Sequence, residues 1–167
     1  KLLGDPARAV EILGAVVNDG VLQRLEAARG LGSIVLDTQS IAHPQYPQAR
    51  IRTPLIVKLA AGDRDRYLAE WFGPIAFVVA TDSTEHSLAI AGEAARTHGA
   101  LTLSVYSTAR EVIERAIDAA EDGGVALSIN LTGGVFVNQS AAFSDYHGTG
   151  ANPAANAALT DAAFVAS

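Results

Sequence analysis

The uninterrupted apolar run Ile75-Ala76-Phe77-Val78-Val79-Ala80 constrains this chain more than any other stretch. Gly73-Pro74 precedes it and Thr81-Asp82 follows. A run of this length between turn residues reads as a strand covered on both faces, the kind that parallel sheets contain. Glu70, Trp71 and Phe72 stand at its mouth. Ligands of open α/β sheets gather at strand ends, so this is the first place to look for a site.

Strand and helix patterns alternate around that run. Asn18 is a suitable N-cap for a helix to about Ala28, with Val21, Leu22, Leu25 and Ala28 at helical spacing and Gly30 and Gly32 to end it. Ser33 to Asp37 reads as a short strand. Ser40 to Arg52 carries Pro44 and Pro47 and reads as a surface connection, with His43 and Tyr46 as solvated loop residues. Thr53 to Ala60 is a strand, and Asp63-Arg64-Asp65-Arg66 is a mixed-charge surface turn.

Beyond the apolar run, Asp82 and Glu85 form a capping-box pattern for a helix over about Ser83 to Arg96. Its face of Leu88, Ala89, Ala91, Gly92 and Ala95 is small enough to lie close on a sheet. Leu101 to Tyr106 is a further strand. Thr108 with Glu111 is a second capping box, opening a helix from about Ala109 to Glu121 with the stripe Val112, Ile113, Ala116, Ile117 and Ala120. Gly123-Gly124 stop it, and Val125 to Ile129 is strand. This alternation predicts an α/β fold with a mostly parallel sheet and helices on both faces.

At the two ends the pattern is different. Asp5-Pro6 fits the start of a short helix. Gly133 to Asn138 is a short strand, Gln139 to Pro153 has the Ser, Gly, Asn and aromatic content of a binding loop, and Ala154 to Leu159 is alanine-rich helix. The chain opens at Lys1 and closes within an apolar phrase, Ala162 to Ala166, so it reads as an excised piece of a larger protein.

Composition narrows the chemistry. A length of 167 residues suits one domain, residues 1–167 throughout, and an apolar fraction of 49% argues against disorder. A net charge of −6 gives no electrostatic reason to expect nucleic acid. No apolar run approaches the roughly 18 residues of a membrane helix, and no signal peptide opens the chain, so no membrane partner and a cytoplasmic location are expected. Without cysteine there is no thiolate chemistry within the chain, and four scattered histidines give no metal-binding spacing.

Few motifs survive scrutiny. Gly148-Thr149-Gly150 lacks the third glycine and preceding strand of a dinucleotide fingerprint. Ser144, Asp145 and His147 are too close in sequence for a triad, whose members come from separate elements. Glu70, beside Trp71 and Phe72, has the surroundings of a general base, and equally those of a residue that only caps or pairs at the turn.

Glu70-Trp71-Phe72-Gly73-Pro74 ahead of an apolar strand, with Gly133-Gly134-Val135-Phe136-Val137-Asn138 downstream, resembles the catalytic half of the aldehyde dehydrogenase superfamily over nearly the whole chain. Asn138 to Ala166 is most similar to the aldehyde dehydrogenases of phenylacetic acid degradation. The resemblance implies that Glu70 holds the nicotinamide ribose of NAD or NADP and that Phe72 packs near the nicotinamide. It places Phe143 and Asn138 at the aldehyde substrate.

The implied reaction is oxidation of an aldehyde to an acid in aromatic catabolism. A cysteine thiolate attacks the aldehyde, hydride passes to the nicotinamide, and the acyl-enzyme is hydrolysed or transferred. That cysteine and the cofactor-binding domain precede the matching segment in the family. The resemblance therefore implies that this piece carries no catalytic residue, is inactive alone, and belongs to an enzyme that is a homo-oligomer when intact. His147 stands where the family's Phe-Gly-Gly-x-Lys-x-Ser-Gly loop has lysine. The competing reading is a free-standing α/β small-molecule-binding or assembly module without activity. A hydrolase using the loop after Asn138 is a third, and it would need no nicotinamide cofactor.

Overall fold

The computed structural model describes residues 10, 13–16, 18–100 and 102–131. They divide after Asp82 into two compact units.

In the first unit, helix α1 (Asp19–Arg29) forms where the spacing predicts it. The Asn18 side chain accepts the Val21 amide at 3.2 Å, Asp19 lies in the first turn and Arg29 in the last, so both charges suit the helix dipole. Val21, Leu25 and Ala28 form the buried stripe. They meet Leu55, Val57 and Leu59 of strand β4 (Leu55–Ala60), which alternates inward and outward along its length. Burying a side chain such as Leu25 or Leu55 contributes about 1.5–3 kcal/mol, so this layer anchors the unit.

Strand β1 (Ser33–Leu36) runs antiparallel to β4, and β5 (Ile75–Ala80) runs parallel to it on the other side. The β4–β5 register runs unbroken from Leu55 opposite Ile75 to Ala60 opposite Ala80. The expectation that β5 is covered on both faces is not met among the described residues. Ile75, Phe77 and Val79 are half-buried, while Ala76, Val78 and Ala80 are exposed. The reason is geometric, because the core cluster with α1 receives only the odd-numbered residues of the strand.

The surface connection from Ser40 to Arg52 is more ordered than its prolines suggest. Its ends pair antiparallel as β2 (Ser40–Ile41) and β3 (Ile51–Arg52), burying Ile41 and Ile51 against Leu13 and Ala49. Ala15 bridges to Ile51, and the Val16 amide donates to the Arg50 carbonyl at 2.6 Å. Between the strands, His43 Nδ1 accepts the amides of Gln45 and Tyr46, each at 3.1 Å, and its ring lies 4.8 Å from that of Tyr46. The charged turn after β4 closes into one helical turn, α2 (Arg64–Tyr67), because Leu68 N–H reaches the Arg64 carbonyl and the Tyr67 hydroxyl donates to Ala61 O at 2.7 Å.

In the second unit, β6 (Thr102–Val105) and β7 (Ala126–Ile129) pair in parallel, joined across the strands by the hydroxyls of Ser104 and Ser128 at 2.8 Å. Helix α3 (Thr84–Glu93) continues as a π-helical segment, Ala94–His98. Its N-cap is Ser83, whose hydroxyl accepts His86 N–H at 3.1 Å, rather than Asp82. Helix α4 (Arg110–Gly123) starts after Ala109 with no side-chain cap, so Thr108 does not serve the role its spacing suggested. Ser107 takes the Ala109 amide instead, and the Asn130 side chain holds both backbone groups of Ser107. At the far end, Gly124 adopts the left-handed conformation and Val125 N–H reaches back to Ala120 O, as the paired glycines predict.

The small face of α3 and its π-helical continuation packs against helix α4. A Cβ on Gly123 of α4 would lie 2.6 Å from Ala95 Cβ, so glycine there is a condition of the close helix approach. The fold is α/β with a partly parallel strand arrangement, as the alternation of elements predicts.

Candidate functional site

The Glu70–Pro74 turn lies between α2 and the start of β5. It is anchored at several points, one of them Gly73 O, which accepts Ile75 N–H at 2.8 Å. Trp71 Nε1 donates to Arg66 O at 2.8 Å, and the Trp71 ring meets Phe77 edge-on with centroids 6.1 Å apart. Leu55 N–H donates to Pro74 O at 2.8 Å, tying the turn to the first residue of β4. Arg24 Nε reaches across from α1 to the Phe72 carbonyl at 2.7 Å.

Gly73 shows why this sequence takes this path. Its φ of +153° disfavours side chains, and a Cβ there would lie 3.1 Å from Val21 Cγ1. Glycine lets the turn pass directly over α1. Proline at the next position fixes the approach to β5 while its carbonyl remains free to accept Leu55 N–H.

The functional groups of the turn face outward. Phe72 is 67% exposed although it is a large apolar ring. Glu70 is exposed, and among the described residues no hydrogen bond or ion pair occupies its carboxylate. An open carboxylate two residues from an open aromatic ring offers hydrogen-bond acceptors for hydroxyls and a flat surface for a planar ring. Arg24 and Arg66 are engaged with Phe72 O and with Leu31 O and Asp63.

Behind the turn is an apolar cavity of about 190 Å³. Leu13, Val16, Val21, Phe72 and Pro74 contribute to its walls, with Arg52 as the charged member. Arg52 Nε is buried with no hydrogen-bond partner among the described residues.

Of the residues singled out in the sequence, Glu70 and Phe72 are brought together in this turn. Asn138 and Phe143 lie outside the described residues, as do His147, the Gly133–Asn138 strand and the helices expected at both ends. Arg24 escaped the sequence reading. It stands 48 residues from its partner, and nothing in the helical pattern of α1 marks one exposed-side arginine as a clamp. Among the described residues no helix is long and apolar enough to cross a membrane.

Comparison with known proteins gives this geometry a family context. No family model and no curated protein matches the chain. Among solved structures, an NAD-dependent aldehyde dehydrogenase from Burkholderia multivorans matches it with 68% sequence identity and a TM-score of 0.84, over 99% of this chain. The chain spans 30% of the length of that enzyme. By identity and by fold, the chain is homologous to a segment of an NAD-dependent aldehyde dehydrogenase, which supports its place in the aldehyde dehydrogenase superfamily.

Proposed function

We propose that this chain is the segment of an NAD-dependent aldehyde dehydrogenase that presents the Glu70–Pro74 turn to the nicotinamide half of the cofactor. The observation that carries the reading is the 68% identity over 99% of the chain to an enzyme of that description. The turn fits the group: Glu70 offers an unengaged carboxylate, and Phe72 offers an open ring.

In this reading the Glu70 carboxylate would hold the nicotinamide ribose, and the Phe72 ring would pack near the nicotinamide. When bound, the cofactor supplies a hydride acceptor for aldehyde oxidation. The contribution of this chain is orientation, and well-oriented reactants gain several powers of ten in rate. The nucleophilic cysteine lies in another part of the enzyme, since this chain contains none. The same reading assigns Asn138 and Phe143 to the aldehyde, treats residues 1–167 as part of one catalytic domain, and expects the chain alone to be inactive. It takes the substrate from phenylacetate breakdown, in a cytoplasmic homo-oligomer that uses NAD or NADP.

The test is nicotinamide reduction with a panel of aldehydes, comparing the full-length gene product, the 167-residue chain and full-length Glu70→Gln. Activity in the full-length protein alone, lowered roughly 10- to 100-fold by the substitution, is the expected result. An inactive full-length protein, or a Glu70→Gln variant with unchanged kinetics, overturns the assignment.

A further inference from the structure

We propose that Arg24 is a positioning residue. From α1 it fixes the Phe72 peptide, and through that peptide it sets where the Phe72 ring points. Its part in a reaction rests on the dehydrogenase reading above, whereas the positioning itself does not.

Three observations converge on this arginine. The first is the bond, Arg24 Nε to Phe72 O at 2.7 Å, at the exposed rim of the turn. Hydrogen bonds from a charged donor are roughly twice as strong as neutral ones. The second is the pattern of anchors along the turn. Trp71 is held by Arg66 O on one side and Pro74 by Leu55 N–H on the other. Between them, among the described residues, the Phe72 backbone is held by Arg24.

The third observation is the weakness of packing at that point. The Phe72 ring is 67% exposed, and the cavity of about 190 Å³ lies against Phe72, Gly73 and Pro74. Close packing, which usually fixes a loop on a core, is weak around the Phe72 ring, although Gly73 beyond it rests on Val21. Gly73, the next residue, is held by its own carbonyl, which accepts Ile75 N–H at 2.8 Å, and that bond leaves the Phe72 carbonyl to Arg24. With its ring open to solvent, the Phe72 carbonyl is oriented by the hydrogen bond from Arg24.

Val21 and Arg24 are one turn apart on α1 and act on adjacent residues of the loop. Val21 supplies the surface over which Gly73 passes, and Arg24 supplies the donor for Phe72. The helix thereby registers the turn against the buried sheet. If the clamp is released, the Phe72 peptide is free to rotate, displacing the ring offered to the cofactor, while Glu70 stays behind the Trp71 anchor.

The first arm of the test uses the full-length protein, deuterated for NMR. Amide order parameters at Phe72 and Gly73 are measured by NMR in wild type, Arg24→Met and Arg24→Gln. The expected change in Arg24→Met is a fall from about 0.85 toward 0.6 at these two amides, with α1 and β4 unchanged. Arg24→Gln, which keeps a donor and the helix propensity, falls less and covers the case in which Arg24→Met folds poorly.

The second arm uses the full-length protein with NAD. Arg24→Met is expected to raise the KM for NAD about 10-fold while the KM for aldehyde stays within about twofold, with Arg24→Lys recovering part of the loss. A merely structural role would lower the active fraction, hence kcat, and leave both KM values alone. Unchanged order parameters at Phe72 and Gly73 overturn the positioning role. Changed order parameters with an unchanged KM for NAD overturn its link to the cofactor. A wild-type protein that reduces no NAD overturns the dehydrogenase reading, and the NMR arm then decides the positioning role by itself.

Discussion

Glu85 shows how a single surface carboxylate couples helix geometry to pH. Hydrogen bonding from backbone at the start of α3 lowers its pKa from 4.5 to about 2, with further help from the Arg115 guanidinium of α4 at 2.6 Å and from Ser83. A carboxylate with a lowered folded-state pKa stabilises the fold above its unfolded value and loses that contribution as pH falls toward the folded one. Acidification from about 4.5 to 2 is therefore expected to weaken the second unit, and Glu85→Gln is expected to flatten that part of the profile. Urea midpoints measured across this range check both statements. The sequence marked Glu85 as a capping-box acid but gave no sign of Arg115, since the pair spans 30 residues and two helices. Glu70 was legible for the opposite reason, because a carboxylate next to Trp71, Phe72 and Gly73-Pro74 is unusual as a local string.

Among the elements, the turn and α1 form one mechanical pair. Gly73→Ala places a side chain at φ +153° and 3.1 Å from Val21 Cγ1, so it is expected to cost roughly 1–3 kcal/mol, read as a lower urea midpoint. Asn18→Ala removes the cap that accepts Val21 N–H and is expected to cost about 1 kcal/mol by the same measurement. Helix bodies were readable from spacing, as α1 and α4 show. Their first residues were not always so. Asp82 and Ser83 are both good caps, and the choice fell to Ser83, the residue whose hydroxyl meets His86 N–H. Thr108 lost its role because Asn130, distant in sequence, fixes Ser107 one residue earlier. Likewise β2 and β3 were hidden, since a strand of two residues has no periodicity to detect and exists through Thr38 and Thr53 holding its ends together.

On the scale of the molecule, the apolar β1 strand carries the largest consequence. All four of its residues are exposed, with Val35 at 58%, and it forms one edge of the β1-β4-β5 sheet. Uncovered apolar edges are templates for pairing with another chain. The isolated 167-residue chain is thus expected to self-associate at micromolar concentration, and Val35→Lys to reduce that association, as light scattering after size exclusion would show. A chain spanning 30% of its homologue exposes surface that alternation alone cannot flag. The apolar run of β5 read as buried on two faces, while only one face meets the core cluster of its unit. The architecture class was nonetheless legible, because parallel pairing of β4 with β5 and of β6 with β7 follows from intervening chain long enough to cross over.

The loop between β2 and β3 carries one more implication, for proton placement. Two backbone N–H groups converge on Nδ1 of His43, so that nitrogen serves as a lone-pair acceptor and the ring proton resides on Nε2. Toward the outside the imidazole is then a donor. An approaching carbonyl or carboxylate finds a ready partner there, whereas an electrophile seeking a lone pair must first unpick the turn or move the proton. His43 thus acts as a tautomer lock, with its chemical polarity set by its own loop.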